Sequence, residues 1–168
     1  MNNSRSSETK SYQVNFPYPG EMNEDITVYS LNGCPHSTNA RDTLLNRPVE
    51  NECDPLLQYA IYCIANDVQK PSYNGCITRD DIFNDEYGIH SLKKSDDQFY
   101  EYPDINDNGV ENAYFNEEQY HKIMSHRTFP IVFVRKNYDK NGNQDGDDTC
   151  EMEMMNNEEF QRWAQLNL

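Results

Sequence analysis

Two short runs in this sequence carry residue types that can do chemistry together. The first is Cys34-Pro35-His36-Ser37, which follows a β-branched run ended by Asn32-Gly33 and opens a helix-compatible segment. A cysteine at the head of a helix meets unpaired backbone N–H groups and the positive end of the helix dipole, and both favour thiolate over thiol. Thiolate is the species that attacks a disulfide, so this position suits a nucleophile. His36 can add positive charge, and Ser37, three residues on, is close enough to donate to the sulfur. The plainer alternative is a buried structural cysteine beside a helix that starts with proline. The second run is His126-Arg127-Thr128-Phe129-Pro130-Ile131-Val132-Phe133, which places a proline at the start of an apolar strand.

Other candidate groups carry less. Cys53, Cys63, Cys76 and Cys150 complete an odd set of five, irregularly spaced and without Cys-x-x-Cys, which argues against a disulfide scaffold and against a zinc ribbon. Cys63 reads as a core residue. Cys150 is a conceivable resolving partner for Cys34, though a strand position does not establish reach. Asp104-x-Asn106-x-Asn108-Gly109 and Asn141-x-Asn143-x-Asp145-Gly146 imitate the start of a calcium loop. The residue twelfth in each is Phe115 or Met152, where a bidentate Glu is needed. His121 and His126 lie five apart and do not share a helix face. No metal is expected.

The elements that must position Cys34 and Pro130 follow from pattern. Ile26-Thr27-Val28-Tyr29-Ser30 reads as a buried strand, and a helix follows from about Pro35 to Arg47, with Ala40, Leu44 and Leu45 on one face. Asp54-Pro55 reads as the start of a second helix through Leu56 to Ile64, apolar nearly all round. Residues 70–95 show no clear period. Gln98 to Tyr102 reads as a strand, Glu117 to Ser125 as a helix, Pro130 to Val134 and Cys150 to Met154 as strands, and Asn156 or Asn157 as the cap of a last helix. With residues 48–96 set aside, a β-α-β-α-β-β-α unit remains, which implies an α/β fold with a mixed sheet. Residues 1–24 read as a flexible polar arm, residues 25–168 as the domain, and Asp139 to Asp148 as a solvated loop.

Composition narrows the function. The 168 residues hold 14 Lys plus Arg against 29 Asp plus Glu, a net charge of -15. Phosphate binding needs Lys and Arg, so a nucleic-acid partner and an anionic membrane surface are both disfavoured. Mean hydropathy is low at -0.99, but 12% aromatic residues supply a core. The polar N-terminus has no signal-peptide core, and the longest apolar stretches, Tyr59 to Ala65 and Phe129 to Val134, are too short to span a bilayer. A cytoplasmic location is expected.

Taken together, Thr27-Val28-Tyr29-Ser30…Gly33-Cys34-Pro35 and Arg127-Thr128-Phe129-Pro130 resemble the active-site elements of the glutaredoxins, within the thioredoxin-fold superfamily. The resemblance covers about residues 25–47 and 98–168. It implies a thioredoxin-like α/β fold: a mixed four-stranded sheet flanked by helices, with a mainly helical insertion at 48–96 between the first helix and the second strand. It implies a catalytic Cys34 tuned by Ser37 and His36, and a glutathione pocket formed by Pro35, Arg127, Thr128, Phe129, Pro130 and Glu158. In that pocket the Phe129 backbone pairs with the peptide, Arg127 meets a carboxylate, Glu158 takes the γ-glutamyl end, and Pro130 is cis against the sulfur. Ser37 stands where a second cysteine would be, so the implied activity is monothiol, glutathione-dependent reduction of disulfides or glutathionylated proteins. Glutathione is then a co-substrate. Monothiol relatives with Gly after the cysteine hold a 2Fe–2S cluster, and Pro35 in that place argues against one.

The chain also departs from the family. Leu31-Asn32 occupy the stretch where a Lys usually stands, and Met155-Asn156 replace a Gly-Gly before the acidic pair Glu158-Glu159. These losses favour a rival from another class: a non-enzymatic thioredoxin-fold protein whose insertion binds a partner or another copy of the chain, with Tyr62 as one of its aromatic contacts. Cys-Pro-His also resembles the start of the active site of periplasmic disulfide oxidases, which carry a helical insertion.

Overall fold

The structure is a computed structural model that describes residues 16–48, 57–66, 76–95, 98–103, 112–138 and 150–168. In chain order the elements are β1 (Ile26–Leu31), α1 (Pro35–Leu45), β2 (Tyr59–Ala65), β3 (Ile77–Thr78), α2 (Arg79–Ile82), β4 (Lys93–Lys94) and β5 (Phe99–Glu101). Then come β6 (Tyr114–Asn116), α3 (Glu117–Ser125), β7 (Ile131–Arg135), β8 (Met152–Met155) and α4 (Asn157–Asn167). The class is α/β, with a five-stranded mixed sheet in the order β3-β2-β1-β7-β8 and a separate three-stranded sheet in the order β4-β5-β6.

Strand β1 is central. It runs parallel to β2, with Val28 opposite Ile61, and antiparallel to β7, with Val28 opposite Val132. Its residues Ile26 to Ser30 are all buried, as expected of a strand covered on both faces. The alternation of side chains sorts the core into two layers. Ile26, Val28, Val132 and Val134 pack with Ala40 and Leu44 of α1 and Phe160 of α4. Tyr29, Ile131 and Phe133 pack on the other face with Phe16, Tyr18, Tyr102, Phe115 and Ile123. Helix α1 lies against both β1 and α4.

Local signals set the helix starts. The Asn116 side chain accepts from the Gln119 amide at the head of α3. At α4, Asn156 accepts from the Glu159 amide at 2.8 Å, and the Glu159 carboxylate accepts from the Asn156 amide at 3.0 Å, a reciprocal capping box. The Glu159 carboxylate also pairs with Lys122 at 2.8 Å, which ties α4 to α3.

Three expectations are corrected. Residues 59–64 form strand β2 rather than the second half of a helix. A continuous apolar run of this length carries no period that separates a buried parallel strand from a buried helix, and here its β-branched and aromatic residues pair with β1. The start expected at Asp54-Pro55-Leu56 lies outside the described residues. Second, the described residues of 48–96 do not form a mainly helical insertion. Among the described residues they hold β2, β3, β4 and the four-residue α2, and β2 belongs to the main sheet. The strand expected at 98–102 is β5 of the small sheet, so five strands replace the expected four.

Third, residues 16–24 are packed, not part of a free arm. Phe16 and Tyr18 are buried in the aromatic layer. The buried Glu24 carboxylate accepts from the amides of Gly20 and Met22 and from the Thr27 hydroxyl, at 2.9–3.1 Å. Gly20 has φ +71, and a Cβ there would stand 3.0 Å from the Met152 sulfur. Residues 1–15, and the loops singled out at 104–109 and 139–148, lie outside the described residues.

Candidate functional site

Strand β1 ends in a tight turn that presents Cys34. The Cys34 amide donates to the Leu31 carbonyl at 3.2 Å, and Gly33 has φ +79, a backbone conformation that favours glycine. The Asn32 amide donates to the Ile64 carbonyl at 3.0 Å, which fixes the turn to β2. Cys34 then occupies the N-cap of α1, with extended backbone, and Pro35 takes the first helical position. Proline costs nothing there, because that N–H has no intrahelical partner.

The sulfur is partly exposed. Burial pushes the Cys34 thiol up, but the amides of Ser37 and His36 and the Ser37 hydroxyl outweigh it, and the thiol lies below its ordinary range. Ser37 is fully buried, and its oxygen accepts from the Leu31 amide at 3.0 Å, so its proton is left for the sulfur. The His36 side chain is exposed, and it is the His36 backbone amide that acts on Cys34. Across from the turn, the Phe129–Pro130 peptide bond is cis, and the Phe129 carbonyl lies 4.0 Å from Cys34 Sγ. Phe129 and Pro130 are both buried at the start of β7.

An open groove runs between the head of α1, the Thr128-Phe129 backbone and the first turns of α4. It brings together His36, Thr128, Phe129 and Glu158 of the expected site, and adds Gln161 and Arg162. Glu158 pairs with Arg162 at 2.9 Å on the α4 surface. Arg127 is not a lining residue of this groove. Its Nη1 donates to the carbonyls of Met124 at 2.8 Å and His126 at 3.0 Å, and its guanidinium lies over the Phe83 ring.

The far side of Phe129 is made of residues that sequence patterning did not single out. The Arg79 guanidinium sits 5.6 Å over the Phe129 ring, and the Phe83 ring lies 5.5 Å from it. Arg79 opens α2, whose start is capped by the Thr78 hydroxyl accepting from the Asp81 amide. Thr78-Arg79-Asp80-Asp81 is a capping signature inside a segment without period, and it was the available signal.

Cys63, read as a core residue, is joined to Cys76 by a disulfide. Asn32 Nδ2 donates to Cys76 Sγ at 3.5 Å, which places this bond against the turn that carries Cys34. Cys34 carries a free thiol, and Cys53 lies outside the described residues. Among the described residues no group of three His, Cys, Asp or Glu side chains is placed to hold a metal, and no helix is long and apolar enough to cross a membrane.

Compared with known proteins, the chain matches no family model, no curated protein and no solved structure. The site therefore rests on its own geometry. It holds a partly exposed thiol biased toward thiolate, beside a groove with one backbone wall. That arrangement can bind an extended segment and attack a sulfur presented along it.

Proposed function

We propose that this protein is a glutaredoxin-like, monothiol thiol–disulfide oxidoreductase built on a thioredoxin-like framework. The observation that carries the reading is Cys34 at the head of α1. Its thiol is lowered by Ser37 and the helix amides, and its sulfur faces the carbonyl of the residue before Pro130. The strand order β2-β1-β7-β8, with α1 after β1 and α4 after β8, supports the framework.

In the proposed cycle the Cys34 thiolate attacks the glutathione sulfur of a glutathionylated protein. A bond forms between Cys34 and glutathione, the old S–S bond breaks, and the protein thiol leaves with the electron pair and takes a proton. The thiolate of a second glutathione then attacks the bound glutathione sulfur. This frees Cys34 and yields oxidised glutathione. Thr128 and Phe129 supply the backbone wall, and the Ser37 hydroxyl stabilises the thiolate in the ground state and as leaving group. The buried Ser37 also disfavours the disulfide-oxidase alternative, which needs a second sulfur in that turn. Arg127, folded back onto carbonyls, favours the non-enzymatic rival, because it leaves the groove without the expected carboxylate partner.

Alkylation by iodoacetamide across pH decides between them. Cys34 is expected to react with a midpoint below that of an ordinary thiol near 8.5, and Cys34→Ser to abolish glutathione-dependent reduction of a small disulfide. An ordinary alkylation profile together with no turnover leaves the non-enzymatic rival standing.

A further inference from the structure

We infer that the Cys63–Cys76 disulfide is a second redox centre that positions both walls of the Cys34 site, so that its oxidation state sets the reactivity of Cys34. The inference rests on the thiol–disulfide reading of Cys34 and goes beyond it.

The bond stands between the two structures that confine the nucleophile. On one side, Cys63 lies in β2 opposite Ser30 of β1, and the next residue, Ile64, accepts from the Asn32 amide. The Asn32 side chain reaches Cys76 Sγ. Asn32 is inside the Leu31–Cys34 turn, so the turn meets the disulfide through the Asn32 side chain and the β2 backbone next to Cys63 through the Asn32 amide. On the other side, Cys76 immediately precedes β3, a two-residue strand paired to β2 through Ile77 and Thr78. A strand this short is weakly held by its ladder alone. Thr78 caps α2, and α2 with its C-cap residue Phe83 delivers Arg79 and Phe83 against Phe129, whose carbonyl faces Cys34. One covalent bond thus fastens the edge strand that supports the Phe129 wall and touches the turn that presents the sulfur.

Reduction needs two equivalents of a thiol, the same chemical class that clears Cys34 in the proposed cycle. Cys63 is partly exposed and Cys76 is buried, so an incoming thiolate attacks the Cys63 sulfur. A mixed disulfide forms there, and Cys76 leaves as thiolate and is protonated. A second thiolate attacks the incoming sulfur, releases Cys63, and carries away the oxidised reductant. Asn32 then loses a fixed acceptor, and β3 loses its covalent tie to β2 and keeps its two-residue ladder and the packing of Ile77 and Thr78. Cys63, Cys76 and Asn32 are positioning residues.

The test is the pH profile of Cys34 alkylation by iodoacetamide in the full chain, with the labelled residue identified by peptide mass and the fold checked by circular dichroism. Three proteins are compared: wild type with its disulfide intact, the double variant Cys63→Ser/Cys76→Ser, and Asn32→Ala, which keeps the disulfide and removes the contact. Both variants are expected to move the midpoint upward, slowing alkylation about threefold at a fixed pH below the midpoint, equivalent to about half a pKa unit. Should the double variant fail to fold, Asn32→Ala and wild type reduced with dithiothreitol decide the question. A low wild-type midpoint that neither Asn32→Ala nor loss of the disulfide changes overturns this inference and leaves the proposed function intact. An ordinary wild-type midpoint overturns both.

Discussion

The two faces of the main sheet are built from different materials. Over one face lie α1 and α4, and the layer between is mostly aliphatic: Ile26, Val28, Leu44, Val132 and Val134, closed by Phe160. The opposite face is a layer of rings. Phe16 stacks on Tyr29 at 5.9 Å, Tyr18 on Tyr102 at 4.8 Å, and Phe115 meets Phe133 edge-on at 5.6 Å. The rings also carry polar tips. The Tyr29 hydroxyl donates to the Pro17 carbonyl and the Tyr102 hydroxyl to the Ile89 carbonyl, at 2.5 and 2.9 Å. A regular helix covers a sheet with one stripe of side chains, so aliphatic residues suffice on the first face. The second face is covered by Ile123 of α3 and Phe115 of β6 together with irregular segments near residues 16–18, 89–92 and 102. Phe16, Tyr18 and Tyr102 come from these segments, and the Tyr29 and Tyr102 hydroxyls satisfy the Pro17 and Ile89 carbonyls, which lie outside any helix or strand. The first face carries the helix that starts at Cys34, and the second holds the larger share of the buried core.

The sharpest way to break that division is Phe133→Ala. It removes a fully buried ring that meets both Tyr29 and Phe115 and is expected to cost about 3–5 kcal/mol. Urea unfolding measures the loss. At a temperature where the variant stays folded, the Cys34 alkylation midpoint should not move, and a shift would mean that the two layers are not separable.

Ser37→Ala should behave in the opposite way. It removes the hydroxyl from Cys34 and leaves the Leu31 amide without its acceptor. The expected stability cost is smaller, about 1–3 kcal/mol, while the alkylation midpoint rises. A variant that loses stability without that rise would make Ser37 purely structural.

The smallest effects are pH-dependent and again fall on different regions. Burial raises Tyr29 and Tyr102 well above the ordinary phenol value, so ionisation favours the unfolded chain. The aromatic layer's contribution is complete below about pH 10 and is lost as pH rises beyond it. His90 and His126 shift the other way. Burial lowers both, helped by Arg127 at His90 and by Lys122 at His126. Their contribution is present above the unfolded value near 6.5 and is lost as pH falls through the lowered folded values. Unfolding midpoints across pH should therefore decline on both sides, and His90→Gln should flatten only the acid limb.

The aliphatic side of the molecule was legible in the sequence because its signals are local. The β-branched run at 26–30, the glycine at 33, the proline at 35 and the Asn156 cap each act within a turn of where they stand, and the elements there begin close to where patterning placed them. The aromatic side resisted because its pairs join residues far apart: Tyr18 with Tyr102, Phe16 with Tyr29. No spacing rule connects them, so residues 16–24 read as an arm. Strand β2 failed for a related reason, since it is half-covered on both faces and its apolar residues run on without the alternation that would have marked it. The Cys63–Cys76 pair was invisible because an odd set of five cysteines without a motif allows many pairings, and only the β2–β3 pairing brings these two together.

Ser37 has a kinetic consequence in the proposed cycle. An oxygen stands where a resolving sulfur would close a ring with Cys34, so in that cycle the capped protein has no exit within its own turn and must wait for a thiol from solution. Completion of each cycle is then bimolecular, and its rate scales with the concentration of that thiol. When the thiol is scarce, the protein accumulates with Cys34 capped. A pulse of oxidised substrate would be titrated one for one, and turnover would resume only as the thiol pool recovers.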